Sequence, residues 1–221
     1  MRILLMHHSP LDESLAGRLT ASWAAALVRA GHDLCVLIAD EHPSNERGSF
    51  RIERVVCSNR DPKAQAPFEL PRFTADGRGH QTFATLSDAQ LGKYRHEIRI
   101  RLDEIVAHFD PQVMHVQHIW IMGQLALETG VPYILNGWNA ELDEPARPRI
   151  SELADQGAEN ASRILVHDSE LLHRVAHRFE SSADRVLVMP AAMTLDGDPQ
   201  AAQALEGIYR EVLEERFGRQ H

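Results

Sequence analysis

The side chains best suited to chemistry in this sequence stand just after short apolar runs. His7, His8 and Ser9 follow residues 2–6, with Asp12, Ser14 and Gly17 close behind. His115 lies inside the run 113–116, and Gln117, His118 and Trp120 follow it. Asn136, Gly137, Trp138, Asn139 and Glu141 come after 132–135, and His167, Asp168 and Ser169 after 164–166. Imidazole exchanges protons near neutral pH. Carboxylates and amides orient polar ligands, and an indole offers a stacking face. Together they suit the binding of a small polyfunctional ligand. The candidate ligand-binding set is His7, His8, Asp12, Gly17, His118, Trp120, Asn136, Trp138, Asn139, Glu141 and Ser169.

Each residue also has a plainer reading. His7 and His8 either cap the helix that follows or line a site. His115, within a strand, reads as a satisfied core histidine, whereas His118 sits where strand gives way to helix. His115 and His118 have metal-ligand spacing, but no third ligand or Cys/His pair accompanies them, so no metal site is expected. His167 and Asp168 are adjacent on a strand and point to opposite faces. Ser169 fits a helix N-cap. His42, His96, His108, His173, His177 and His221 read as solvated surface. There is no G-x-S-x-G elbow, no G-x-G-x-x-G and no phosphate-binding G-x-x-x-x-G-K-[ST]. A serine hydrolase of the elbow type and a bound nucleotide cofactor are therefore not expected, and no cofactor is assigned.

These residues need elements to position them. The runs 2–6, 34–38, 113–116, 132–135, 164–166 and 186–189 read as buried parallel strands, and 50–57 as a further strand. Between them, Leu15, Leu19, Trp23, Ala26 and Leu27 recur at helical spacing, after Ser14 as N-cap and before Gly31 as a left-handed stop. Ser87-Asp-Ala-Gln90 is a capping box opening a helix through Phe109. Further helices are expected over 119–128, 152–160 and 170–179. A last one, begun by Asp198-Pro199, carries Leu205, Ile208, Tyr209, Val212, Leu213 and Phe217 on one face. Residues 58–79, rich in Pro, Gly and charge, read as a long loop. The order β-α-β-β-α-β-α-β-α-β-α-β-α predicts a Rossmann-like, doubly wound, mostly parallel α/β sheet with helices on both faces. Ligands in such sheets bind beyond the carboxyl ends of the strands, where the strand order reverses. The polar and aromatic clusters all fall on that rim.

Composition sets outer bounds. The 221 residues carry 23 Lys+Arg against 32 Asp+Glu, a net charge of −9, which disfavours a nucleic-acid surface. Hydrophobic residues make up 43%, enough for a sizeable core. No run is long enough to span a membrane, and the opening MRILLMHHSP is too short for a signal peptide. Cys35 and Cys57, both in apolar runs, read as reduced core residues of a cytoplasmic protein.

Four segments resemble one family. Met1-Arg-Ile-Leu-Leu-Met with Leu27-Val-Arg-Ala-Gly31-His32-Asp-Leu-Cys-Val-Leu is similar to the first βαβ of the acceptor-side, N-terminal domain of GT-B glycosyltransferases of the family-4 type. Phe109-Asp-Pro-Gln-Val-Met-His115-Val-Gln-His118-Ile-Trp120 resembles that family's F-x-P-D-V-I-H-x-H segment. Thr129-Gly-Val-Pro-Tyr-Ile-Leu135 resembles its next strand. Ala161-Ser-Arg-Ile-Leu-Val with Ser169-Glu-Leu-Leu resembles its A-D-x-V-I-x-x-S-E-x-L segment.

The resemblance implies that residues 1–193 form the acceptor-side domain and that 194–221 are a linker and closing helix packed back upon it. It implies that the donor-binding domain is missing, and that Glu206 and Glu214 only mimic the spacing of the donor motif. It puts Trp138 where the family carries a histidine and Asn139 where it carries a glycine, and it leaves Gly17 of the usual glycine pair. Two readings follow. The chain is half of a split sugar transferase, completed by a donor-domain partner chain. Otherwise it is a catalytically degenerate module that binds a sugar or small-molecule acceptor or regulates a partner. A third reading, a stand-alone enzyme using the rim of His7, His8, Asp12 and His118 for other chemistry, has little motif support. Homodimerisation would cover the surface left by the absent domain.

Overall fold

The computed structural model describes residues 1–11, 14–43, 49–74, 79–143, 148–189 and 199–218. Seven strands form one sheet: β1 (Arg2–His7), β2 (Asp33–Asp40), β3 (Arg51–Val56), β4 (Val113–Val116), β5 (Tyr133–Asn136), β6 (Arg163–Val166) and β7 (Val186–Val188). The order is β3-β2-β1-β4-β5-β6-β7. Every neighbouring pair is parallel. The chain builds outward from β1 to β3, then returns to β4 on the other side of β1. The strand order therefore reverses between β1 and β4, which opens a crevice at their carboxyl ends.

The strands are apolar runs because both of their faces are covered. Ile3, Leu5, Val36 and Ile38 face one core, closed by α1 (Leu15–Arg29) through Trp23 and Leu27 and by α7 (Pro199–Gly218) through Leu205, Tyr209 and Val212. Leu4, Met6 and Val116 face the other. There α2 (Asp88–Phe109), α3 (Met122–Thr129), α5 (Pro148–Asn160) and α6 (Ser169–Arg178) supply Tyr94, Ile98, Leu125, Leu153 and Val175. The seventh helix is the short α4 (Asn139–Asp143).

Local chemistry sets the helix ends. Ser14 Oγ accepts the Gly17 N–H at 2.9 Å, and Gly31 stands at φ +85° past the end of α1. The Ser87/Gln90 capping box forms as read from the sequence. Three details differ from the sequence reading. Helix α3 begins at Met122, three residues after the expected start, because residues 117–121 instead bend to build the rim. Ile121, β-branched and fully buried, takes φ +31°, an outlier for such a residue. The N-cap of α6 is Asp168, whose carboxylate accepts the Leu171 N–H at 2.7 Å, so Ser169 is its first helical residue and not its cap. The 58–79 segment is not free of structure. Ala66 bridges Cys57 in parallel, Arg72 bridges Thr82, and Phe68 and Leu70 are buried.

The expected 193/194 boundary, Pro190, Ala191 and Asp198 lie outside the described residues. No helix among them is long and apolar enough to cross a membrane.

Candidate functional site

The site grows from the ends of β1 and β4. The Gln117 N–H donates to the Met6 carbonyl at 2.9 Å, the last tie between these strands before their chains part. His7 and His8 then follow one branch and His118 the other. The rings of His7 and His118 lie 5.4 Å apart, and those of His8 and His118 5.7 Å.

His118 is anchored from α4. Its Nδ1 lies 3.1 Å from Glu141 Oε1, and both residues are 5% exposed. The same carboxyl accepts the Ile119 N–H at 2.8 Å and the Trp138 N–H at 3.2 Å, tying the β4 and β5 loops together. Burial pushes the Glu141 carboxyl up to about 8, against backbone amides that favour its charged form. Burial also holds the His118 imidazole down at about 3, so it is neutral at physiological pH. Phe73, from the 58–79 segment, stacks on His118 at 3.8 Å and 17°. Trp138 stands 6.3 Å from His118, and its Nε1–H donates to the Gln117 carbonyl at 2.5 Å. Beside His118 opens a cavity of about 310 Å³ whose lining includes Ser9, Leu15, Phe73, Trp138 and Ala140. That volume is at the small end of ligand sites.

Two further histidine environments flank the cavity. His7 directs Nδ1 to the Ser9 carbonyl at 2.6 Å, which leaves Nε2 buried without a partner. Burial first, and then His118, lower its pKa to about 3. His8 pairs Nδ1 with the Tyr94 hydroxyl at 2.7 Å and is likewise held well below its ordinary value by burial. Neither ring caps α1, since Ser14 does that. His115 lies behind the rim. The Tyr209 hydroxyl donates to its Nδ1 at 2.8 Å, and its Nε2–H donates to Asn136 Oδ1 at 2.9 Å. Asn136 in turn donates to Gln117 Oε1 at 2.8 Å. His115 is thus the satisfied core histidine, with its ring stacked on Trp23 at 5.0 Å.

Residues 16–192 match the profile of the glycosyl transferase 4-like domain. The chain belongs to the glycosyl transferase 4-like domain family. Sequence comparison with curated proteins gives no significant match. Among solved structures, a sucrose-phosphate synthase chain from Thermosynechococcus elongatus is 13% identical, with a TM-score of 0.59 over 96% of this chain and 98% of that one. A second structure of that synthase has the same identity and TM-score but is spanned for 48% of its length. UDP-GlcNAc 2-epimerase from Neisseria meningitidis is 12% identical, with a TM-score of 0.52 over 99% of this chain and 53% of that one. At such identities the likeness is one of fold. The chain spans about half the length of the latter two structures.

Within this family fold the expected site residues divide. His7, His8, His118, Trp138 and Glu141 come together at the rim, and Asn136 supports them from beneath through Gln117. Trp120 is 2% exposed and packs 5.5 Å from Phe73. With Glu141 it also walls a second, open cavity of about 550 Å³ that reaches His173 and His177 on α6. Those two histidines are exposed, as read from the sequence. Three residues stand away from the first cavity's chemistry. Asn139 is exposed and accepts a hydrogen bond from Arg174 at 2.5 Å. Ser169 is exposed at the start of α6. Gly17 has no open space beside it: a Cβ there would meet the Pro10 carbonyl oxygen at 2.6 Å. Its lack of a side chain lets the backbone of Pro10 and Leu11 pack against the first turn of α1. Asp12 lies outside the described residues. His167 and Asp168 do meet, with Nε2 3.2 Å from Oδ2, although strand geometry alone separates them. Phe73 and Tyr94 contact the rim histidines His118 and His8, and the sequence reading did not assign them. Only the capping box and apolar period of α2 marked Tyr94 as inward-facing, and no local signal marked Phe73.

Proposed function

We propose that this chain is the acceptor-binding half of a sugar transferase and acts with a donor-binding domain carried by a partner chain. The observation that carries this reading is the cavity beside His118. It opens where the strand order reverses, the place such sheets use for ligands. One buried, polar, anchored side chain beside apolar and aromatic neighbours suits the orientation of an acceptor. That the chain spans about half the length of these two neighbours supports a complementary partner. The free, buried Cys35 and Cys57 support a reducing compartment, the cytoplasm.

A second reading is favoured by Trp138. The family resemblance puts a histidine there, and an indole neither moves a proton nor accepts a hydrogen bond. In that reading the rim binds a ligand, or a second copy of the chain, without transfer. Affinity capture of the tagged chain from its native cells, followed by assay of the captured pair with labelled sugar nucleotides, separates the two. Stoichiometric recovery of a donor-domain chain and sugar transfer by the pair support the first. A captured pair that transfers no sugar, or self-association alone, supports the second.

A further inference from the structure

The walls of the His118 cavity specify what enters it. Leu15, Leu70, Pro71, Phe73 and Trp138 supply the large apolar side chains of the lining, and Leu15 keeps 43% exposure there. The polar groups within the cavity are mostly committed elsewhere. Ser14 Oγ holds the Gly17 N–H, Ser9 Oγ lies 3.3 Å from His7 Nδ1, and the Trp138 indole N–H is spent on the Gln117 carbonyl. Arg72 and Thr74 are exposed and Glu41 is half-buried. The buried exception is His118. Glu141 holds its Nδ1, and its Nε2 has no partner among the described residues, yet is not among the buried atoms sealed from solvent.

A sugar acceptor carries a hydroxyl on nearly every carbon, and each one buried without a partner costs free energy. Among the described residues that line the cavity, His118 is the buried side chain with a polar atom left to meet such a hydroxyl, while Glu41, Arg72 and Thr74 stand toward its open side, so the cavity offers a buried partner to one hydroxyl. It can cover a flat apolar ring system and meet one hydroxyl.

From these contacts we infer that the cavity takes a flat, apolar, aromatic-type acceptor through a single hydroxyl hydrogen-bonded to His118 Nε2, and that Glu141 is the positioning residue that fixes the imidazole. This rests on the acceptor-side reading above. Trp138 and Phe73, which both line the cavity, offer their faces to the ring system, and the hydroxyl lies against the side of His118 turned from Glu141.

The test is direct binding by titration calorimetry, with 1-naphthol, naphthalene and maltose as probes. The expected order is 1-naphthol tighter than naphthalene by about tenfold, the worth of one good hydrogen bond, and no measurable maltose binding. Ala140→Trp, at a half-buried position on the cavity wall, is expected to abolish naphthol binding. Glu141→Gln is expected to shrink the naphthol preference at least threefold while leaving naphthalene affinity in place. A merely structural role would lower both affinities together. Equal affinities for 1-naphthol and naphthalene, tighter binding of maltose, or undiminished binding by Ala140→Trp overturns the inference. None of these readouts needs a donor sugar, so failure of the transferase reading is seen separately, as naphthol binding without transfer. Transfer by a captured pair to a polyhydroxylated acceptor would uphold that reading and overturn this inference.

Discussion

His115 and His118 stand three residues apart at the end of one strand, both buried, and the fold uses them in opposite ways. His115 has both ring nitrogens bonded, between Tyr209 of the last helix and Asn136 of the neighbouring strand. His118 has one nitrogen bonded, to Glu141, and lines a cavity with the rest of its edge. A buried polar group with every valence satisfied rigidifies a core. One left a single free valence beside a cavity is positioned to meet a ligand. The difference teaches that burial alone does not separate scaffold from site; the count of unspent hydrogen-bonding positions does.

The largest test strains both regions at once. His7 and His118 titrate near 3 when folded, His115 near 4, and His8 well below its ordinary value, against 6.5 for an unfolded histidine. Between those values the unfolded chain binds the extra protons, so the histidine contribution to stability is full above pH 6.5 and falls as pH falls toward 4. Each independent histidine contributes a slope of about 1.4 kcal/mol per pH unit. Urea unfolding at a series of pH values is expected to lose several kcal/mol between pH 6.5 and 5. A flat profile would contradict neutral burial of these rings.

Next in size is His115→Leu. It leaves Tyr209 and Asn136 without their partner and should cost about 3 kcal/mol. His118→Leu should cost about 1 kcal/mol and remove the naphthol preference, because the Glu141 carboxyl that loses its one bond keeps the Ile119 and Trp138 amides. Comparable losses from the two would erase the contrast. Gly17→Ala drives a methyl into the Pro10 carbonyl and should cost about 2 kcal/mol, seen as a fall of roughly 4–8 °C in Tm. The pH response of Glu141 is of similar size. Its carboxyl titrates near 8 when folded, above the 4.5 of an unfolded glutamate, so the folded state holds the proton more tightly and stability falls as pH rises from 6.5 to 8. Glu141→Gln should remove that decline, about 2 kcal/mol, read from the same unfolding series.

The sheet was legible because each parallel strand is an apolar run with a helix-period segment after it, and that pattern has few other solutions. The rim was legible at the level of strand ends. Placing His118 at the site and His115 in the core needed only their positions relative to the strand end. The partners were not legible. Glu141 lies 23 residues from His118, on a five-residue helix too short to show a period. Phe73 comes from a segment whose composition signals only a loop, and Tyr209 from the far end of the chain. Such contacts depend on tertiary packing, which local spacing does not encode. The Asp168 cap was misassigned by one residue because Asp and Ser both cap well and stand side by side.

The most direct test of the central contrast is long-range ¹H–¹⁵N NMR of the histidine side chains, recorded with and without 1-naphthol. The account predicts that the His118 Nε2 resonance moves on binding while both nitrogens of His115 stay fixed. Naphthol binding that leaves His118 unmoved, or that shifts His115 instead, would contradict it.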